Sequence, residues 1–246
     1  MSNISFYYIN LSNRKDRNNR MVNQFNDLKI TNYQRIQACS PSDYNFNNYI
    51  KNLSDTHFAI LGSHIKAISH FYHNSKNEYA IIFEDDVDLS SFKKIGFNLT
   101  ELFHVFSNTK CFQLAVSNRV EHVPNFSPHE RSFWDFSCLA YMISKSYAKD
   151  FLDRYCIDNK INLDSLNLKM VYDSRIKKYF TPPPWTENVI YSIGNVVTWP
   201  IFSFYFSPSS RDVLDSEADI QIKKSIKLFK KHWSSSEIIK PSSMLK

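Results

Sequence analysis

The chain has 246 residues, which is enough for one large domain with a full core or for two small domains. Its 43% hydrophobic and 15% aromatic content is typical of a globular protein, and no apolar run reaches the ~20 residues that cross a bilayer, so composition excludes a disordered chain and a transmembrane helix. The net charge of +6 leaves three kinds of anionic partner open: nucleic acid, a membrane surface or a phosphorylated ligand.

The N-terminal half of the chain alternates short apolar runs with amphipathic stretches. In chain order, the pattern predicts a strand at 4–11, a helix following the basic turn 12–20, a strand at 33–38, a helix at 56–72 and a strand at 79–83. The first residues have no basic flank and no long apolar segment. We therefore expect a first strand rather than a secretion signal, and a cytoplasmic protein.

The C-terminal half continues the alternation. It predicts a strand at 111–116, a loop at 120–131, a strand at 138–143, a helix capped by Ser144, a further helix at 163–172 and a rigid stop at the prolines 182–184. Strands that alternate with helices indicate an α/β fold with a mainly parallel sheet flanked by helices. Since no internal linker is visible, we expect one domain at 1–200 and a C-terminal extension at 201–246.

The acidic end of the strand at 79–83 is the strongest functional signal. The apolar run 80–83 leads directly into four carboxylates, Glu84, Asp85, Asp86 and Asp88. Clustered carboxylates repel one another and are costly to desolvate unless a cation joins them, and hard oxygen ligands suit Mg²⁺ or Mn²⁺. Strand alternation predicts that Glu84 and Asp86 share one side, with Asp85 on the other. The alternative is a solvated acidic turn.

The turn after the first strand carries Asn10, Arg14 and Arg17. In α/β sheets ligands lie at the carboxyl ends of strands, and the guanidinium fork suits phosphate oxygens. The chain has only three glycines, which excludes a glycine-rich phosphate loop, so side chains and metal would have to hold a nucleotide here. The alternative is a solvated basic turn that begins a helix.

The four cysteines show neither CxxC pairing nor disulfide spacing; they are Cys39, Cys111, Cys138 and Cys156. Free thiols in a reducing compartment are the expectation, and the spacing does not predict a zinc site.

The C-terminal extension is basic and amphipathic. Its lysines are Lys223, Lys224, Lys227, Lys230 and Lys231, and its apolar stripe is Ile222, Ile226, Phe229 and Trp233. This pattern suits a helix on an anionic membrane surface, which would give the protein a peripheral membrane contact. The alternative, which we favour slightly, is a terminal helix packed on the domain.

Several segments together resemble a known family. They are the run Ile9-Asn10-Leu11 with Arg14 and Arg17, the pair Ser63-His64, the run Glu84-Asp85-Asp86, the strand Ala140-Tyr141-Met142-Ile143-Ser144, the pair Leu163-Asp164 and the stretch 189–193. Their order and rough spacing, over about residues 4 to 195, resemble glycosyltransferase family 25. That family contains bacterial lipooligosaccharide galactosyltransferases and procollagen galactosyltransferases.

The resemblance implies a GT-A-type, Rossmann-like fold and a nucleotide-sugar donor, usually UDP-linked, with a Mn²⁺ or Mg²⁺ ion. It makes Glu84 and Asp86 the expected metal ligands. The expected donor-binding residues are Asn10, Arg14, Arg17, Ser63, His64 and Asp85. It favours an inverting hexosyltransferase that needs a base for the acceptor hydroxyl, with Asp164 the leading candidate and Asp135 behind it.

On this interpretation the protein takes part in lipopolysaccharide biosynthesis or a related process. It would move a hexose, such as galactose or glucose, to a hydroxyl of a glycan, lipooligosaccharide or protein acceptor. The alternative is a non-catalytic module that binds sugars or an anionic surface. We do not expect a nucleic-acid partner, because the lysines cluster at one end of the chain while carboxylates crowd its middle.

Overall fold

A seven-stranded sheet forms the centre of the computed structural model, which describes residues 3–40, 43, 54–117, 126–157, 160–164, 166–173, 177–205 and 216–233. Its strands lie side by side in the order β2 (Tyr33–Gln37), β1 (Ile4–Asn10), β3 (Tyr79–Glu84), β7 (Ala140–Ser144), β5 (Thr109–Gln113), β12 (Asn195–Thr198) and β6 (His129–Glu130). Three short pairs accompany it: β4 (Val87–Asp88) with β13 (Ser203–Phe204), β8 (Cys156–Ile157) with β9 (Lys160–Ile161), and β10 (Val171–Asp173) with β11 (Lys178–Phe180).

Five strands of the central sheet run in one direction. β1 pairs in parallel with both β2 and β3, and β12 pairs in parallel with β5. β7 is antiparallel to β3 and β5, and β6 is antiparallel to β12. The predicted mixed, mainly parallel sheet is therefore confirmed, and β1, β3, β5 and β12 end at the same edge.

Helices cover both faces of the sheet. They are α1 (Lys15–Asp27), α2 (Asp55–Asn74), α3 (Glu101–Val105), α4 (Lys145–Tyr155), α5 (Thr186–Ile190) and α6 (Ser216–Trp233), with a 3-10 helix at Ser90–Lys94. Ser54 and Ser144 begin α2 and α4 as N-caps, since each hydroxyl accepts a backbone N–H three residues later. The predicted Ser144 cap is thus confirmed.

The hydrophobic core lies on both faces of the central sheet, and β3 contributes side chains to both. Ile81 and Phe83 pack in the core that contains Phe25 of α1, whereas Ile82 packs in the core that contains Phe71 of α2. This alternation explains why the sequence of β3 is a continuous apolar run. It also places α1 and α2 on opposite sides of the acidic segment that follows.

The predicted helix at 163–172 is wrong for the residues that the structure describes there. Val171–Asp173 is a strand paired with β11, and no helix is assigned in 160–164 or 166–173. Leu163 and Leu166 pack against the core, but Met170 is largely exposed. The apolar residues that suggested a helical face therefore do not share one environment.

The C-terminal helix packs on the domain. Ile222 and Phe229 of α6 are buried, and the Trp233 indole N–H donates to the Pro200 carbonyl at 3.1 Å. Ile226 and Trp233 pack against the same core as β1 and β3. The apolar stripe of the extension therefore packs inside the protein, as in the packed alternative. Within the described residues, no helix has both the length and the apolar character needed to cross a membrane.

Candidate functional site

The site lies where the parallel strands β1 and β3 end side by side. Ile9 is in register with Glu84, so Asn10, the last residue of β1, and Asp85, the first residue after β3, come together. The Asn10 amide donates to Asp85 Oδ2 at 2.6 Å, and both side chains are buried. Polar side chains at the carboxyl ends of neighbouring parallel strands are the usual setting of a ligand site.

Asp85 connects the start of α1 to this edge of the sheet through hydrogen bonds. Arg17 donates to Asp85 Oδ1 at 2.7 Å, and the two side chains are only 11% and 8% exposed. Arg20, one turn further along α1, donates to the Asp85 carbonyl oxygen. Both carboxylate oxygens of Asp85 are therefore occupied, which makes it the residue that positions Asn10 and Arg17.

Arg14 and Arg35 flank Asn10. Arg14 pairs with Asp16 at 3.0 Å, and its hydrogen bond lowers the pKa of the Asp16 carboxyl to about 2. Arg35 of β2 donates from Nε to Asn10 Oδ1 at 2.8 Å and from Nη2 to the Leu11 carbonyl at 3.2 Å. Both polar atoms of the Asn10 side chain therefore have hydrogen-bond partners, and these bonds fix the position of the turn after β1.

Asp86 has one carboxylate oxygen that makes no hydrogen bond within the described part of the chain, although Arg17 and Arg20 lie near enough to interact with its charge. This oxygen, Oδ1, is buried. Burial, followed by repulsion from Glu84 and Asp85, raises the pKa of Asp86 to about 7. A cation beside this oxygen would relieve both penalties, so Asp86 fits a metal ligand.

Glu84 faces the opposite side, toward α2. Its Oε1 accepts from His64 Nε2 at 3.1 Å and from the Cys138 thiol at 3.3 Å, while the Tyr141 hydroxyl bonds His64 Nδ1 at 3.1 Å. Burial acts to raise the pKa of Glu84, but the bonds from His64 and Cys138 outweigh it and hold the pKa below its ordinary value. The Glu84 side chain is 30% exposed, so it remains open to the edge of the sheet.

The trio His64, Glu84 and Cys138 also places three ligand atoms within 4.8 Å of one another. Nitrogen and sulfur donors suit softer ions than Mg²⁺. A thiol binds metal as the thiolate, and burial raises the pKa of Cys138 well above its ordinary value. His64 and Cys138 therefore form a hydrogen-bond network that orients Glu84.

The predicted alternation of the acidic residues holds only in part. β3 ends at Glu84, and Asp85 and Asp86 form a turn, so Glu84 and Asp86 are not successive residues on one face of a strand. Glu84 contacts α2 and Asp85 contacts α1, as expected from opposite sides.

Two predicted site residues have contacts elsewhere. The buried Ser63 hydroxyl accepts from the Cys39 N–H at 2.8 Å and donates to the Ala59 carbonyl at 2.6 Å, so it joins α2 to the segment after β2. Asp164 lies exposed in a turn, where its backbone N–H donates to the Asn162 side chain at 2.7 Å. Among the described contacts, neither residue joins the group around Asp85 and Glu84.

Asp135 lies at the same edge of the sheet, at the ends of β5 and β12. Gln113, the last residue of β5, donates to the Asp135 carbonyl at 2.9 Å and accepts from Thr198, the last residue of β12. Asp135 Oδ2 accepts from the Ser132 N–H at 2.7 Å and pairs with His129 Nε2 at 3.2 Å. Burial acts to raise the pKa of Asp135, but these bonds hold it below its ordinary value, so the carboxylate is ionised at neutral pH.

Sequence reasoning missed several residues of this site, among them Arg20, Arg35 and Tyr205. The Arg20 guanidinium lies 4.0 Å from the centre of the Tyr205 ring, and the Tyr205 N–H donates to the Asp86 carbonyl at 2.6 Å. Arg20 follows Arg17 by three residues and so shares its helix face, which is a signal that the sequence contained. Tyr205 reaches the site from more than 100 residues away, and no local pattern indicates it.

Comparison with known proteins gives a match to one family model and a number of distant structural similarities, among them the two that follow. The sequence model of glycosyltransferase family 25 (LPS biosynthesis protein) matches residues 3–167. No curated protein sequence matches the chain. A197 from STIV is similar in structure with a TM-score of 0.47 and 7% identity, over 83% of this chain and 86% of that one. A glycosyltransferase involved in the glycosylation of the major capsid of PBCV-1 has a TM-score of 0.42 and 10% identity, over 90% of this chain and 98% of that one.

Proposed function

Because the chain belongs to glycosyltransferase family 25, we propose that it transfers a hexose, such as galactose or glucose, from a UDP-sugar to a hydroxyl of a glycan, lipooligosaccharide or protein acceptor. The proposal includes a Mn²⁺ or Mg²⁺ ion and a GT-A-type arrangement of donor and metal. We favour a transferase over a module that only binds sugars, because the carboxyl edge of the sheet offers groups for both a cation and a diphosphate.

One observation carries the proposal. Three buried polar atoms at this edge have no hydrogen-bond partner among the described residues: Asp86 Oδ1, Arg17 Nε and Arg20 Nε. An unpaired buried acceptor calls for a cation, and unpaired buried donors call for an anion. A metal with a nucleoside diphosphate supplies both charges at once.

The residues divide the binding of the donor between them. Asp86 would hold the ion directly, and Glu84, oriented by His64, is the second candidate ligand. Arg17 and Arg20 would bind the diphosphate oxygens, with Asp85 fixing their position. When bound, the ion neutralises charge on the diphosphate leaving group.

The acceptor hydroxyl needs a base in the inverting transfer that we propose. Asp164 is the candidate from the family resemblance, but it lies exposed in a turn. Asp135 is ionised, and its position is fixed by Gln113 and Ser132 at the edge where β1 and β3 also end. Geometry therefore favours Asp135, and its carboxylate would take the proton of the acceptor hydroxyl.

Donor and metal binding test the proposal without needing the acceptor. UDP binding by calorimetry should require Mn²⁺ and disappear with a chelator. Asp86→Asn should lose Mn²⁺ binding in an electron paramagnetic resonance titration, whereas Asp88→Asn, in the same acidic segment, should retain it. An Asp86→Asn variant that binds Mn²⁺ and UDP as the wild type does would refute the metal assignment.

The base is tested by single substitutions that keep the shape of the side chain. Asp135→Asn should retain UDP and Mn²⁺ binding but lose sugar transfer, because only the proton acceptor has been removed. Asp164→Asn is the matched comparison and should keep most of its transfer activity. The reverse result would assign the base to Asp164.

A further inference from the structure

A cavity of about 340 Å³ lies beside the edge strand β6, outside the group of residues described above. Its walls come from β6, α5, the start of β12 and the segment before β10, and include Glu130, Arg131, Lys169, Asn188 and Tyr191. This volume is within the range of pockets that hold a small ligand.

Arg131 gives the cavity its charge. Its Nη2 donates to Asn188 Oδ1 at 3.3 Å, and its guanidinium lies 4.8 Å from the centre of the Tyr191 ring. Its Nε is buried with no hydrogen-bond partner, and no ion pair within the described part of the chain includes Arg131. A guanidinium without a carboxylate partner at the wall of a cavity is suited to an anionic ligand.

The frame around Arg131 is fixed. The Asn188 amide donates to the Pro183 carbonyl at 2.9 Å, which orients its oxygen toward Arg131. Tyr191 is buried, and its hydroxyl donates to the Ser137 carbonyl at 3.2 Å. The guanidinium is thus held between an amide and an aromatic ring before any ligand arrives.

The lining of the cavity favours a charged sugar over a bare ion. Phe133 in the lining offers an apolar surface for a ring, and the amide of Asn195 can bond hydroxyls. Arg131 and Lys169 together outweigh Glu130, so the lining carries a net positive charge.

A short chain of contacts links the cavity to the carboxyl edge. Tyr191 bonds the carbonyl of Ser137, and the next residue, Cys138, donates to Glu84. A ligand in the cavity would therefore be connected to Glu84 through Tyr191 and the segment 137–138. Remote parts of a substrate commonly bind in such places, where their binding energy positions the reacting group.

We propose that the cavity beside Arg131 binds an acceptor sugar that carries a carboxylate or a phosphate, with the guanidinium paired to its oxyanion. This inference rests on the proposed glycosyltransferase function, which makes a sugar acceptor the expected ligand.

Ligand-observed NMR with three probes tests this site: glucuronic acid, glucose 6-phosphate and neutral glucose. At least one anionic probe should bind more than tenfold more tightly than glucose, and the preferred probe distinguishes carboxylate from phosphate. Arg131→Gln should abolish this preference. Lys110→Gln is the matched control, since it removes a surface cation that pairs with Asp150. Asn195→Trp, which keeps Arg131 but puts a large side chain among the lining residues, should also abolish binding.

The outcomes separate this inference from the proposed function. Equal binding of glucose and both anionic probes, or unchanged binding in both Arg131→Gln and Asn195→Trp, would overturn it. UDP binding with Mn²⁺ should be the same in Arg131→Gln as in the wild type. If the wild type bound no UDP while the cavity still preferred an anionic sugar, the donor proposal would fail and the site would stand as a sugar-binding site.

Discussion

The buried ion pair between Arg17 and Asp85 should contribute far more to stability than a surface pair of the same length. The Arg17–Asp85 pair is 2.7 Å long, with side chains 11% and 8% exposed. The Lys110–Asp150 pair is 2.8 Å long, with side chains 51% and 45% exposed. The two pairs are nearly equal in length and differ strongly in burial, so comparing them tests how burial affects the strength of an ion pair.

Asp85→Asn keeps the size of the side chain but removes its charge. Arg17 would lose its ion-pair partner, and breaking a buried pair by removing one partner costs about 3–5 kcal/mol. Asn10 would also lose a charge-assisted hydrogen bond. Asp150→Asn should cost only about 0–1 kcal/mol, because solvent screens the pair that it breaks.

Urea unfolding of the two variants measures the free energies of unfolding. Asp85→Asn should lower the free energy of unfolding by at least about 2 kcal/mol more than Asp150→Asn, with the same slope against urea. A double-mutant cycle with Arg17→Met isolates the pair itself, because removing both charges also removes the cation that has lost its partner. Equal losses in the two single variants would refute the claim that burial determines the strength of the pair.

Three further predictions concern other parts of the chain. Bonds to Asp135 and to the Ser127 carbonyl raise the pKa of His129 above its unfolded value of 6.5. The stabilisation from His129 is therefore full below that pH and is lost as the pH rises through the folded pKa. The free energies of unfolding of the wild type and His129→Gln should differ more at about pH 6 than at about pH 9, and a constant difference would contradict the pairing. Phe229→Ala should lower the free energy of unfolding in urea by about 3–5 kcal/mol, because Phe229 is buried. Lys230→Ala, at an exposed position of the same helix, should lower it by less than about 0.5 kcal/mol. Similar losses in the two variants would show that α6 does not pack on the domain. Cys138 is buried with a raised pKa, so mass spectrometry should find its alkylation at least about tenfold slower in the folded protein than in urea; equal rates would mean that the thiol is accessible.

The sequence predicted the parts of the fold that local patterns determine. The runs that became β1, β3 and β7 are apolar because the strands are buried on both faces, and the spacing of apolar residues located α1 and α2. The sequence also placed Asn10 and the acidic segment at the ends of strands, and the two meet because β1 and β3 are parallel neighbours in the sheet. The helix predicted at 163–172 failed because a few leucines at helical spacing can also pack on a core from an irregular segment.

The partners of the site residues could not be predicted in the same way. His64 and Cys138 meet at Glu84 from 20 and 54 residues away, and Tyr205 reaches Arg20 from the far end of the domain. Such contacts depend on how the sheet orders its strands. That order brings β7 next to β3 although 55 residues separate Glu84 from Ala140 in the chain, and no periodicity in the sequence encodes it.

The choice between Asp135 and Asp164 shows what the sheet adds to a sequence argument. Neither aspartate belongs to an acidic cluster, so the sequence alone ranks them only by resemblance to a family pattern. In the structure, the side chain of Gln113 connects the ends of β5 and β12 and fixes the backbone of Asp135 at the edge where Asp85 and Asp86 also lie. A base must be held in position to act on a bound hydroxyl, and the contacts of Asp135 provide that whereas the exposed turn at Asp164 does not. The two asparagine variants, compared for transfer at equal UDP binding, therefore test whether a fixed position or a family motif is the better guide to the base.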